Sequence, residues 1–138
     1  MTGRSVLEVA EAIHQAEESH LILRYKTVVD WEKAGREGVW ALVEVKVAPQ
    51  REVGFDRVAE RIYRFPEARS VYLVSGTYDL AVVVTANTMR EVAAFVSEKL
   101  ASLDSVQGTV THFLLKRYKE DGEILVSQQQ APRLPLTL

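Results

Sequence analysis

Val71-Tyr72-Leu73-Val74-Ser75-Gly76-Thr77-Tyr78-Asp79-Leu80-Ala81-Val82-Val83-Val84 is the stretch whose reading decides the fold. Two apolar runs flank a polar turn at Ser75-Gly76-Thr77-Tyr78, which predicts a hairpin. Gly76 can take a positive φ at no steric cost, and it has no Cβ to keep a bound group off the backbone. Asp79 follows where the turn hands over to the second strand. A carboxylate there can close the turn through local hydrogen bonds, or it can hold a cation. Taken alone, the pattern favours closure.

The neighbouring segments repeat one theme on either side of this hairpin. Upstream, Val39-Trp40-Ala41-Leu42-Val43-Glu44-Val45-Lys46-Val47 alternates with period two and stops at Pro49, as a strand with one buried face does. Between it and the hairpin, Gly54 to Arg64 carries Phe55, Val58, Ala59 and Ile62 at helical spacing, and Phe65-Pro66 ends that helix. Downstream, Thr88-Met89-Arg90-Glu91 is a capping box opening a second helix. Its apolar face is Met89, Val92, Ala93, Val96 and Leu100, with Phe95 beside it. A last long strand runs from Val106 to Tyr118.

Strand–helix–strand therefore occurs twice, with the hairpin joining the halves. Each crossover helix links parallel strands, so both helices cover one face of a four-stranded antiparallel sheet. That is an α+β fold of the ferredoxin-like βαββαβ type. The other sheet face keeps large side chains, drawn from Trp40, Leu42, Tyr72 and Val74 by alternation. Left in water they would form a large apolar patch, so a dimer packed sheet to sheet is expected.

Ahead of the first strand, Ser5-Val6-Leu7-Glu8 is another capping box, and Val6, Val9, Ala10 and Ile13 give a short amphipathic helix to about Glu18. Its polar face is acidic: Glu8, Glu11, Glu17 and Glu18 stand against Arg4, the sole Lys or Arg among the first twenty residues. Leu21 to Val29 reads as an extended connecting strand, and Asp30 to Gly38 as a linker. After Asp121-Gly122, residues 123–138 read as a mobile tail that is strand-like at most.

Composition sets the outer limits. The 138 residues, 47% hydrophobic and 26% charged, fit one domain with a short appendage and can bury a core. No run is apolar enough to span a membrane, and the amino terminus does not read as a signal peptide, so a cytoplasmic setting is expected. Without cysteine, disulfides and thiolate metal sites are excluded. A net charge of −2 gives no general attraction to nucleic acid or anionic membrane. His14, His20 and His112 lie on separate elements without metal-ligand spacing, and no nucleophile elbow, P-loop or dinucleotide fingerprint occurs. Neither a metal, a cofactor nor a catalytic set is expected.

Three stretches, in order, carry a resemblance. Gly54-Phe55-Asp56-Arg57-Val58-Ala59-Glu60-Arg61-Ile62, then Ser70 to Leu80, then Thr109-Val110-Thr111-His112-Phe113 resemble the Lrp/AsnC transcription regulators. The match covers their effector-binding RAM domain, from about Val39 to Gly122. The resemblance implies a ferredoxin-like domain that dimerises through its sheet, with tetramers or octamers as further states. It also implies a small amino acid bound between dimers. Carried over by motif, the ligand site is Gly76, Thr77, Tyr78 and Asp79 from the turn with Gly108, Thr109, Val110 and Thr111 from the last strand, which shifts Asp79 from turn closure towards ligand contact.

Residues 1–37 then look like one helix and the connecting strand of a winged helix-turn-helix, residues 38–122 like the RAM domain. The helices that would support the first helix are missing, and its glutamates would face phosphates. This chain alone is not expected to bind DNA, although it could act by assembling with full-length relatives. Two other classes fit the same fold: a stand-alone amino-acid-binding module with no DNA role, and an enzyme of the dimeric α+β-barrel type.

Overall fold

Alternation along the first strand, β1 (Val39–Val47), does what period two requires. Ala41, Val43, Val45 and Val47 are buried on one side, while Trp40, Leu42, Glu44 and Lys46 stay partly or wholly exposed on the other. The structure is a computed structural model and describes residues 3–36, 38–48 and 54–125. In it the helix α2 (Gly54–Tyr63) follows, then strands β2 (Ala68–Leu73) and β3 (Leu80–Ala86). The helix α3 (Met89–Ala94) runs on as a π-helical segment, Phe95–Leu100, and leads to β4 (Val106–Phe113). The sheet order is β2-β3-β1-β4 and every pairing is antiparallel, which is the ferredoxin-like arrangement expected.

The core lies between the sheet and the two helices. Val43, Val45, Leu80, Val82 and Val84 from the sheet meet Val58 and Ile62 of α2 and Val92, Phe95, Val96 and Leu100 of the second helix. Each fully buried side chain of this kind contributes roughly 1.5–3 kcal/mol. No helix among the described residues is long and apolar enough to cross a membrane.

Several local expectations need correcting. The first hairpin strand, read as Ala68 to Ser75, ends at Leu73, and the second, read as Asp79 to Thr85, runs from Leu80 to Ala86, so the connection is wider than a tight turn. Thr88 Oγ1 accepts from the Glu91 N–H at 3.1 Å, but the Glu91 side chain accepts from Asn87 rather than completing the box on Thr88. The helix ends in a π turn, marked by the Ala101 N–H donating to Val96 C=O at 2.8 Å, and Val92, Val96 and Leu100 of the expected face are buried. Phe95 becomes core, whereas Met89 remains 54% exposed and Ala93 exposed.

β4 stops at Phe113, five residues before the expected end. Lys119–Glu120 (β5) and Glu123–Ile124 (β6) instead form a small ribbon around Asp121-Gly122.

Towards the amino terminus the helix α1 (Val6–Glu18) carries its capping box as read, with Ser5 Oγ accepting from Glu8 N–H and Glu8 accepting from Ser5 N–H. None of its residues is buried, including the apolar stripe. Residues 23–30 carry no strand ladder, so the expected connecting strand has no partner among the described residues. The Tyr25 hydroxyl donates to Glu17 at 3.0 Å, which ties this segment back to α1 and pushes the phenol pKa up. Asp30 opens a helical turn through its side chain and backbone carbonyl, so the linker has local structure. The tail beyond Leu125 lies outside the described residues.

Candidate functional site

The hairpin turn is built from the end of β1. Val74 N–H donates to Asp79 C=O at 2.9 Å, leaving Ser75 to Tyr78 as the loop. Gly76 sits at φ 150°, a conformation that side chains other than glycine rarely take, and no atom lies within 4 Å of where its Cβ would be. Asp79 N–H donates to Val45 C=O at 3.1 Å, and Asp79 Oδ2 accepts from the half-buried Val47 N–H at 2.8 Å. The carboxylate therefore clips the turn to β1. Among the described residues both of its contacts fall on Oδ2.

Lys46 completes this end of the sheet, and sequence reasoning missed it. Its Nζ donates to Thr77 C=O at 3.1 Å and stands 3.8 Å from Asp79 Oδ2. The lysine side chain is 49% exposed and the aspartate 21%. One signal was available in the sequence: Lys46 is a charge set between two valines near the end of the strand.

On the far side of β1, Gly108 lies opposite Lys46, Thr109 opposite Val45, Val110 opposite Glu44 and Thr111 opposite Val43. Strand parity then divides the expected site. Gly108 and Val110 share the open face with Lys46 and Glu44, whereas Thr109 and Thr111 share the helix-covered face with Val45 and Val43. The turn, Lys46 and Gly108 come together at one end of β1. Val110 lies further along the open face, and the two threonines are on the other side of the sheet.

The open face itself is apolar with a polar seam. Tyr72 and Val110 are 55% and 52% exposed, with Trp40, Leu42 and Val83 half-buried between them. The Arg117 guanidinium covers Trp40 at 4.7 Å from the ring centroid. His112 Nε2 lies 3.0 Å from Glu44 Oε1, a hydrogen bond that a ring carrying its proton on Nε2 donates.

Two concavities open elsewhere, and neither is lined by the eight expected residues. One, of about 180 Å³, lies between Arg57, Arg61 and Asp104; the other, of about 400 Å³, between Glu67, Thr85, Glu91 and Lys99. In the second, Lys99 Nζ is 2.5 Å from Glu67 Oε1 and 5.5 Å and 5.8 Å from the ring centroids of Phe65 and Phe95. The hydrogen bond from Lys99 holds the Glu67 carboxyl below its usual range, against the opposing effect of burial. Glu67 Oε2 is buried with no partner among the described residues.

Residues 40–124 match the family described as the Lrp/AsnC ligand binding domain. The chain is 52% identical over 135 residues to an uncharacterized HTH-type transcriptional regulator, YugG, of Bacillus subtilis, covering 97% of this chain and 81% of that protein. Among solved structures it is similar to a feast or famine regulatory protein from M. tuberculosis complexed with L-methionine (TM-score 0.70, 18% identity, 90% of this chain and 81% of that one). It is also similar to a transcriptional regulator from Neisseria meningitidis in complex with L-Met (TM-score 0.67, 20% identity, 86% and 76%).

Proposed function

The chain belongs to the Lrp/AsnC family of transcription regulators, and we propose that it senses a small amino acid at an interface between copies of itself. The observation that carries this reading is the meeting of the Gly76–Asp79 turn with Gly108 across the end of β1. These residues come from distant stretches of sequence and all fall inside the matched segment. They offer an exposed loop backbone, a carboxylate and a lysine within a few ångströms, suited to a ligand that carries both signs of charge. L-Methionine in the two structural relatives fits the same ligand class.

In the single chain this end of the sheet is open surface, with Gly76 and Thr77 exposed. A small ligand held there needs a second wall, which another copy would supply. The apolar open face gives those copies a reason to associate, first as a dimer and then as tetramers or octamers. The ligand site on this reading is Gly76, Thr77, Tyr78, Asp79, Gly108 and Val110. Thr109 and Thr111 flank these positions on the opposite face of the strand.

Residues 38–122 form the sensing and assembling domain, and residues 1–37 are what this chain contributes of a DNA-binding module. The protein works in the cytoplasm, without catalysis, either alone or assembled with full-length relatives. The test is a thermal-shift screen over the common L-amino acids followed by calorimetric titration of the best. Binding only to the folded state raises the melting temperature by mass action, so at least one amino acid is expected to do so. A flat response across the panel would remove the amino-acid reading.

A further inference from the structure

Among the described residues, Lys46 has more hydrogen-bonding capacity than its partners use. An ammonium has three N–H donors. Thr77 C=O takes one at 3.1 Å, and Asp79 Oδ2, at 3.8 Å, is beyond hydrogen-bond distance. The opposite residue on β4 is Gly108, and none of the described residues requires glycine there: its φ lies outside the left-handed region, and none of their atoms lies within 4 Å of where its Cβ would be. The missing side chain leaves space on β4 across from Lys46, on the flank away from Thr77 and Asp79. On the other flank, Asp79 Oδ2 takes Val47 N–H, and Oδ1 has no partner among the described residues.

We propose that Lys46 is the residue that binds the ligand's α-carboxylate, and that Lys46 and Asp79 together read a free amino acid as a zwitterion. An α-amino acid holds its ammonium and carboxylate on one carbon. A lysine and an aspartate 3.8 Å apart present the same two charges in reverse order, so the ligand pairs carboxylate to Lys46 and ammonium to Asp79. Thr77 C=O fixes the lysine in place and is a further acceptor for the ammonium. The pair selects against compounds lacking either charge, such as α-carboxamides and N-acyl derivatives, and leaves the ligand side chain to be chosen by the second wall. This assignment rests on the amino-acid reading above.

The test compares wild type, Lys46→Met and Lys46→Arg by calorimetric titration, each with a melting curve. The probes are the common L-amino acids and the α-carboxamide of whichever binds wild type most tightly. Wild type is expected to prefer the acid over its amide by about tenfold or more, the scale of a hydrogen bond to a charged group. Lys46→Met should lose that preference by weakening the acid alone, while Lys46→Arg keeps most of it. A purely structural lysine would lower the melting temperature and leave the acid-to-amide ratio unchanged; that result overturns the assignment but leaves amino-acid sensing standing. Wild type binding acid and amide equally overturns it too, whether or not Lys46→Met folds. Wild type binding no amino acid removes the sensing reading and this inference with it.

Discussion

Asp79 closes this end of the sheet, and the proposed site gives it a second role. Its Oδ2 satisfies Val47 N–H and stands 3.8 Å from Lys46 Nζ. The roles separate by substitution. Asp79→Ala leaves a half-buried N–H without a partner, which costs about 1–3 kcal/mol, and it removes the acceptor for a ligand ammonium. Asp79→Asn keeps an oxygen for Val47 and removes only the charge. The expected outcome is a lowered melting temperature for alanine, a nearly normal one for asparagine, and no detectable amino-acid binding by either. Calorimetry beside melting curves decides, and full affinity in Asp79→Asn would show that the site is misplaced. Glu67 allows a prediction about pH. Its carboxyl is held below its ordinary value of 4.5 by the hydrogen bond from Lys99. A depressed folded-state pKa means the contribution is complete above the unfolded value and is lost as pH falls through the folded one. Stability should therefore decline below about pH 4.5 with a component that Glu67→Gln removes, measured by denaturant unfolding across a pH series.

At the scale of elements, what the sequence disclosed is what local chemistry controls. The period-two run Val39–Val47, the Ser5–Glu8 box and the apolar spacing of α2 each specify their element without help from the rest of the chain. The features that escaped depend on packing at a distance. Val96 to Ala101 closes an i→i+5 bond that brings Phe95 edge-on to Phe65 at 5.6 Å, and no periodicity in Met89–Leu100 announces that slip. Leu114 and Leu115 continue the apolar character of β4, yet the ladder ends at Phe113. Parity placed Lys46 on a face but could not say which loop folds over it. The π turn makes a distinction that can be measured. Phe95→Ala should cost about 3–5 kcal/mol as a core truncation, whereas Met89→Ala at an exposed position should stay within about 0.5 kcal/mol. Similar losses at both positions would restore the regular helix. For α1, four glutamates and no buried residue predict weak, salt-sensitive and sequence-independent binding of duplex DNA by this chain alone. Sub-micromolar, sequence-dependent affinity in an anisotropy titration would contradict that.

For the molecule as a whole, the sheet has two faces, and the described helices cover one of them. The helices bury Val43, Val45, Val82 and Val84, while Tyr72, Val110 and the edges of Trp40 and Leu42 remain on the open side. The His112–Glu44 hydrogen bond on that side gives the polar seam a fixed geometry that a second copy can meet. The proposed function then couples sensing to assembly: a ligand held between copies would favour whichever state completes its contacts, and that state would bind the ligand better in return. Light scattering at low micromolar protein, with and without the amino acid selected by the thermal screen, tests this most directly. An even multiple of the single-chain mass is expected without ligand, and a shifted distribution of even-numbered states when ligand saturates. A well-folded monomer whose mass is the same in both conditions would contradict this expectation.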